Sequence, residues 1–226
     1  MRIVILASGT GTLLHSVMDN IDPTRVDIAA VGSDRECEAL NRAQQAGLAT
    51  FLVGYVPGST DRAAWNDQFA SVISRYQPDL IVCAGFMRIL GTTVVNAFPG
   101  MIINTHPALL PSFPGAHGVR DALNYGVKVT GTTVHVVDAG VDSGPILAQR
   151  PVVVDPQDTE ASLHEKIKKV ERVLLVDVIH DIADGNIETT QRAPGNTIPT
   201  GQEQRQCGTD KAGNAHTAQG GAGVKP

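Results

Sequence analysis

The chain has 226 residues, 42% hydrophobic and 4% aromatic, with a formal charge of −5, which at about 150 residues per domain means one domain with an appendage and enough apolar material for a real core. Modest acidity without basic runs argues against a broad contact with a phosphate backbone, so nucleic acid is not expected as a partner. Cys37, Cys83 and Cys207 are odd in number and far apart, and the only apolar stretch near the start, Ile3 to Ala7, runs straight into Gly9 and Gly11; a disulfide framework, a CxxC metal site, a signal peptide and a membrane span are all disfavoured, and a cytoplasmic protein with no membrane partner is expected.

In chain order, Ile3 to Leu6, Asp27 to Val31, Thr50 to Val53, Leu80 to Cys83 and Met101 to Ile103 read as buried strands, each a short apolar run bounded by turn signals. A helix pattern with Leu13, Leu14, Val17 and Met18 on one side follows the first strand. Asp61 to Tyr76 carries Trp65, Phe69, Val72, Ile73 and Tyr76 at helical spacing and stops at Gln77-Pro78-Asp79. The alternation predicts βαβ units and a parallel sheet covered on both faces, with ligands bound beyond the carboxyl ends of the strands.

Further on, the β-rich stretches Lys128 to Val137 and Pro145 to Val154 flank a Gly- and Asp-rich loop, Asp138-Ala-Gly-Val-Asp142-Ser-Gly144, a candidate site. A last helix is expected from near Asp158, capped by that carboxylate, with Leu163, Ile167, Val170, Leu174 and Val178 on one face. The folded domain is thus residues 1–187. From 188 to 226 the sizeable aliphatic residues are Ile198 and Val224, among Gly, Gln, Asn, Thr and Pro, so this tail is expected to be disordered.

Chemistry is sought just after strands. The first strand leads into Ala7-Ser8-Gly9-Thr10-Gly11-Thr12-Leu13-Leu14, a Gly-rich turn feeding a helix amino terminus, whose free N–H groups and positive dipole end suit a phosphate. Leu14 replaces the third Gly of a dinucleotide fingerprint and no P-loop Lys is present, so one phosphomonoester fits better than a dinucleotide or a nucleoside triphosphate. Asp34, after the second strand, either caps a helix or accepts a bond from a ribose hydroxyl. After the fourth strand, Ala84-Gly85-Phe86-Met87-Arg88-Ile89-Leu90-Gly91 is apolar, and either packs on a neighbouring element or lines a pocket for a flat, partly apolar ligand.

The fifth strand leads into Asn104-Thr105-His106-Pro107-Ala108-Leu109-Leu110-Pro111. Two residues apart, Asn104 and His106 project to the same side, so an amide donor and an imidazole face one small volume. This suits acyl transfer: the amide bonds a developing oxyanion, the imidazole moves a proton or adds positive charge, and a carboxylate such as Asp142 holds its protonation state. Alternatively His106 simply caps a turn before Pro107. His135, mid-strand, reads as structural. Glu171 falls on or beside the apolar stripe of the last helix and bonds either a donor within the fold or a ligand. His164-Glu165 opens a zincin motif, but Lys168 stands where the second His is required, so no metal is implied; Ser8 lacks the flanks of a nucleophile elbow.

Taken together, Asn104 to Pro111, Gly85-Phe-Met-Arg-Ile-Leu90, Asp138 to Gly144, Ser8-Gly-Thr-Gly11 and Glu171 make residues 1 to about 187 resemble the folate-dependent formyltransferases. The resemblance is to the branch of the family that formylates glycinamide ribonucleotide in purine biosynthesis. It implies an α/β, Rossmann-like fold with a mostly parallel twisted sheet and helices on both faces. It also implies 10-formyltetrahydrofolate as cosubstrate, glycinamide ribonucleotide as acceptor and no metal, and leaves a homodimer open. Residue by residue it implies that Asn104, His106 and Asp142 are catalytic. Gly9, Thr10, Gly11, Thr12 and Leu13 would take the substrate phosphate, and Glu171 the ribonucleotide. Met87, Arg88, Ile89, Leu90 and Val141 would hold the pterin, with Arg62 near the folate's glutamate. The implied mechanism is direct attack by the amine through a tetrahedral oxyanion, with Asp142 keeping His106 charged.

The chain departs from the family pattern in places. Many members have Asn-Gly-Ser-Asn where this chain has Thr10-Gly11-Thr12-Leu13, Ser in place of Ala108, and His in place of Val119. Two relatives of the same fold are disfavoured. A deformylase would carry an additional amino-terminal domain, and an initiator-tRNA formyltransferase a carboxyl-terminal one that the apolar-poor tail is not expected to build. A non-catalytic nucleotide-binding module would give the Asn104, His106 and Asp142 combination no purpose.

Overall fold

Alternation along β1 (Arg2–Leu6) sets the architecture. Ile3 and Ile5 face one side and Val4 and Leu6 the other, all fully buried, because successive side chains of a strand point opposite ways. A strand apolar on both sides needs cover on both faces. In the computed structural model, which describes residues 1–189, that cover comes from two groups of helices. On the Ile3 and Ile5 face lie α1 (Thr12–Asn20), α2 (Glu38–Gln45) and the long α6 (Glu160–Ala183), contributing Leu14, Val17, Leu40, Leu174 and Val178. On the Val4 and Leu6 face lie α3 (Arg62–Ser74) and α4 (Thr92–Ala97), with Trp65, Phe69, Ile73 and Val94.

The strands β2 (Asp27–Ser33), β3 (Thr50–Leu52), β4 (Leu80–Cys83), β5 (Ile102–His106), β6 (Val129–Val136) and β7 (Ile146–Val153) join β1 in one sheet of order β3-β2-β1-β4-β5-β6-β7; α5 (Gly118–Tyr125) precedes β6. β1 to β5 pair in parallel, while β6 and β7 form an antiparallel hairpin on β5. The chain winds outward from β1 in one direction and returns to the other side of β1 with β4. The carboxyl ends of β1 and β4 therefore flank a topological switch point, the place where open α/β sheets bind ligands. There the Ser8 N–H donates to the Gly85 carbonyl across the crevice at 3.1 Å.

The expected strands and long helices are present, with local differences. β5 extends through Asn104, Thr105 and His106 because β6 pairs with it there, Asn104 opposite His135 and His106 opposite Thr133. Asp61 caps α3, accepting from the Ala63 and Ala64 N–H groups. At α6 the cap is Thr159 rather than Asp158: Thr159 and Ser162 form a reciprocal capping box, and Asp158 instead takes the Ser162 hydroxyl and the Lys166 ammonium. α4 and α5, both short, were not expected. The expected tail lies, apart from Glu188 and Thr189, outside the described residues. No helix among the described residues is long and apolar enough to cross a membrane.

Candidate active site

The Gly-rich turn between β1 and α1 is shaped by its neighbour α2. Gly11 has φ +72°, and a Cβ there would lie 2.8 Å from the Ala39 Cα, so this residue must be Gly for the turn to seat on α2. Arg42 of α2 donates from Nε to the Thr10 carbonyl at 2.9 Å. A Cβ on Gly9 would meet nothing within 4 Å, so that side of the turn is open. No side chain caps α1, which leaves its first-turn N–H groups to a ligand. Leu13 buries its side chain in the core, so only its main chain faces the site.

The loop after β4 divides its side chains. Met87 and Ile89 are 73% and 62% exposed, whereas Leu90 is buried in the α3 and α4 core. Arg62 reaches this loop from α3, donating from Nη2 to the Ile89 carbonyl at 2.6 Å. The Arg88 guanidinium turns inward, over the Tyr55 ring at 4.4 Å and onto Asp34. Asp34 is thus neither a helix cap nor open to a ribose: the N-cap position of α2 is Cys37, with no side-chain cap, and Asp34 is fully buried. Burial pushes its carboxyl up, but hydrogen bonds from Arg35, Ser8 and Arg88 outweigh that and hold it below the usual carboxylate range.

At the end of β5 the structure brings Asn104, His106 and Asp142 together. The β6–β7 loop returns Asp142 onto the strand face that carries Asn104 and His106, with Asp142 Oδ2 3.3 Å from His106 Nδ1 and accepting the Gly115 N–H at 2.8 Å. The loop also leaves Val141 52% exposed. His106 is 3% exposed, and its Nε2 lies 2.8 Å from the Phe113 carbonyl. Both ring nitrogens therefore face acceptors, which a neutral ring satisfies once and a protonated ring twice. Burial nevertheless lowers the His106 pKa, against the raising influence of Asp142 and the Phe113 carbonyl. Asp142 thus acts on the ring in the expected direction, but burial opposes it more strongly, and a protonated ring would find an acceptor at each nitrogen. Asp142 is lowered to about 2, chiefly by a hydrogen bond from His135, opposed by burial and supported by the Gly115 N–H and His106.

His135 belongs to this cluster and is not merely a strand residue. Its Nδ1 lies 3.0 Å from the Val136 carbonyl, and its Nε2 lies 3.3 Å from Asn104 Nδ2 and 3.5 Å from Asp142 Oδ1. The register opposite Asn104 was the missing information; period-two alternation along β6 alone does not say which strand lies alongside.

Glu171 sits on the other face of the sheet. Burial raises its carboxyl, and a hydrogen bond from Thr105 and the charges of Lys168 and Arg172 only partly offset this. It thus has a donor within the fold, Thr105 of β5.

Residues 1–179, nearly the whole of the described chain, match the family described as formyl transferase. The chain belongs to the formyl transferase family. It is 50% identical over 192 residues to the phosphoribosylglycinamide formyltransferase of Mycobacterium tuberculosis, covering 84% of this chain and 89% of that protein. To the Escherichia coli enzyme of the same name it is 35% identical over 196 residues, covering 85% and 92%. The crystal structure of glycinamide ribonucleotide transformylase 1 from Symbiobacterium toebii superposes with a TM-score of 0.76 at 38% identity, over 82% of this chain and 88% of that one.

Proposed function

We propose that this chain transfers the formyl group of 10-formyltetrahydrofolate to the amine of glycinamide ribonucleotide, with Asn104, His106 and Asp142 as the catalytic group. The observation that carries the reading is the buried His106–Asp142 pair beside Asn104, in a chain whose relatives at 35% to 50% identity bear that activity's name. The open side of the Gly-rich turn suits the ribonucleotide phosphate, taken by main-chain N–H groups of Gly9 to Leu13. Glu171, on the same face, suits the ribonucleotide itself. Exposed Met87, Ile89 and Val141 supply apolar surface for a flat pterin, and Arg62 a cation for the folate's carboxylate.

His135 Nε2, 3.3 Å from Asn104 Nδ2, fixes the direction of the Asn104 amide beside the substrate. As the amine nitrogen bonds the formyl carbon, Asn104 bonds the oxygen on which negative charge collects. His106 takes up the proton released by the amine, and both its nitrogens then have acceptors, one of them the Asp142 carboxylate. The proton passes to the folate nitrogen as its bond to the formyl carbon breaks, so no covalent enzyme intermediate forms. The reading includes a cytoplasmic place of action, supported by Cys37 and Cys83 as free thiols.

An assay with protein, 10-formyltetrahydrofolate and glycinamide ribonucleotide tests it. Formylglycinamide ribonucleotide should appear in step with tetrahydrofolate. Free formate released regardless of added amine would mean that water is the acceptor, and the transferase reading would be wrong.

A further inference from the structure

Asp34 has no place in the reaction outlined above, yet it is the acidic side chain among the described residues with no exposure at all. Its Oδ1 accepts the Ser8 hydroxyl at 2.6 Å, and its Oδ2 accepts Nη2 groups of Arg35 at 2.9 Å and Arg88 at 3.0 Å. Ser8 Oγ in turn accepts the Met87 N–H at 3.0 Å. The loop after β4 is thus held twice by one carboxylate, through the Arg88 side chain and through the Met87 main chain. Tyr55, under the Arg88 guanidinium, is fixed to the same residue by donating its N–H to the Asp34 carbonyl at 2.9 Å. A buried ion pair is weak evidence for stability, since apolar replacements of similar volume are often as stable; what it does enforce is geometry. Here the geometry is that of Met87, Arg88 and Ile89, between two open side chains and across the switch point from the Gly-rich turn that Ser8 precedes.

We propose that Asp34 is a positioning residue for formyl transfer, holding the Met87 to Ile89 loop in the conformation that receives the folate. This rests on the reading that the loop receives the folate.

Steady-state kinetics of the full chain with both substrates tests it. Asp34→Asn keeps the shape and an acceptor for Ser8 but removes the charge that Arg88 meets. The folate KM should rise about tenfold, the size of a lost charge-assisted hydrogen bond, while kcat and the ribonucleotide KM stay within about threefold. Arg88→Lys keeps the charge but not the planar fork, and should give the same split to a smaller degree, so the proposal stays testable if Asp34→Asn fails to fold. The double variant should be no worse than the poorer single one, because both act through one contact. Ile89→Asp reads the loop itself. If it raises the folate KM while Asp34→Asn and Arg88→Lys leave it alone, or lower only Tm and kcat, Asp34 is structural and the proposal is overturned. If Ile89→Asp leaves the folate KM unchanged, the folate reading of the loop fails, and the proposal falls with it.

Discussion

The two faces of the sheet's carboxyl edge are built from different materials. On the α1 and α6 face the surface offered to a ligand is largely main chain: an uncapped helix start, a Gly-rich turn and, further along, one carboxylate beside Thr105. On the α3 and α4 face it is side chain: Asn104, His106, His135 and Asp142, each within 3.5 Å of another member, with exposed apolar residues on the neighbouring loop. A surface made of main chain tolerates replacement wherever the side chain turns away. Leu13, with its side chain in the core, offers such a surface only its main chain. A surface made of side chains has no such freedom.

The largest effects should therefore come from the side-chain face. Asn104→Ala removes an oxyanion donor and should lower kcat about 10² to 10³-fold; His106→Ala removes the proton carrier and should cost about 10² to 10⁴. Asp142→Ala should fall in the same range, with both substrates still bound. The losses should not add: His106→Ala combined with Asp142→Ala should be little worse than the poorer single variant, since Asp142 acts through His106. Full activity of His106→Ala would remove the difference between the faces altogether.

The main-chain face is probed by its two glycines, which the structure separates. A side chain at Gly9 meets open space, where the phosphate is proposed to sit. Gly9→Val should leave Tm unchanged and raise the ribonucleotide KM about tenfold, with the folate KM unmoved. At Gly11 a side chain turns toward Ala39 instead, from a positive φ. Gly11→Val should cost about 1 to 3 kcal/mol of stability, a Tm fall of several degrees that calorimetry resolves. Equal effects of the two variants on Tm would show that α2 does not brace the turn.

Most of the main-chain face was legible in the sequence, because its signals are local. The apolar run ending at Leu6, the Gly9 and Gly11 spacing and the Leu13, Leu14 and Val17 stripe all lie within a short segment. The same holds for Asn104 and His106, whose shared direction follows from strand alternation. What was illegible depends on partners distant in sequence. His135 joins the site through its register against Asn104, and Asp34 finds Arg88 54 residues away. Ser162, four residues beyond Asp158 and three beyond Thr159, did not identify Thr159 as the cap, because neighbouring Asp and Thr are both good caps. His106 shows the limit most clearly. Sequence pairs it with Asp142, but only the fold shows the burial that opposes the charge Asp142 would favour.

The burial of His106 gives a pH test. Burial outweighs Asp142 and holds the His106 pKa below the ordinary imidazole value. If the neutral ring accepts the proton, kcat/KM should fall as pH drops through that depressed value, while Asp142, lowered to about 2, stays ionised throughout. Asp142→Asn removes an influence that raises the ring's pKa, so its acid limb should lie at lower pH than that of the native protein, beneath a reduced plateau. Comparing the two profiles cancels any titration of the substrate amine, which is common to both. A limb displaced to higher pH would mean that the proton is held elsewhere.

The smallest effect should come from the exposed apolar pair on the side-chain face. Met87 and Ile89 stand in water in the free protein, so Met87→Ser with Ile89→Ser removes no core contact, and Tm should not change. What it removes is apolar area that a pterin would cover. At about 25 cal/mol per Å², losing roughly 40 to 60 Å² of such contact weakens binding by about 1 to 1.5 kcal/mol, a rise of roughly five- to tenfold in the folate KM. The ribonucleotide KM should stay where it is, because the phosphate side is held by main chain on the opposite face. This is the mirror image of Gly9→Val, and the two variants together decide whether each face serves one substrate. A double variant that raised both KM values alike would mean that the loop after β4 also shapes the turn, with Ser8, which bonds Met87 and precedes Gly9, as the connection.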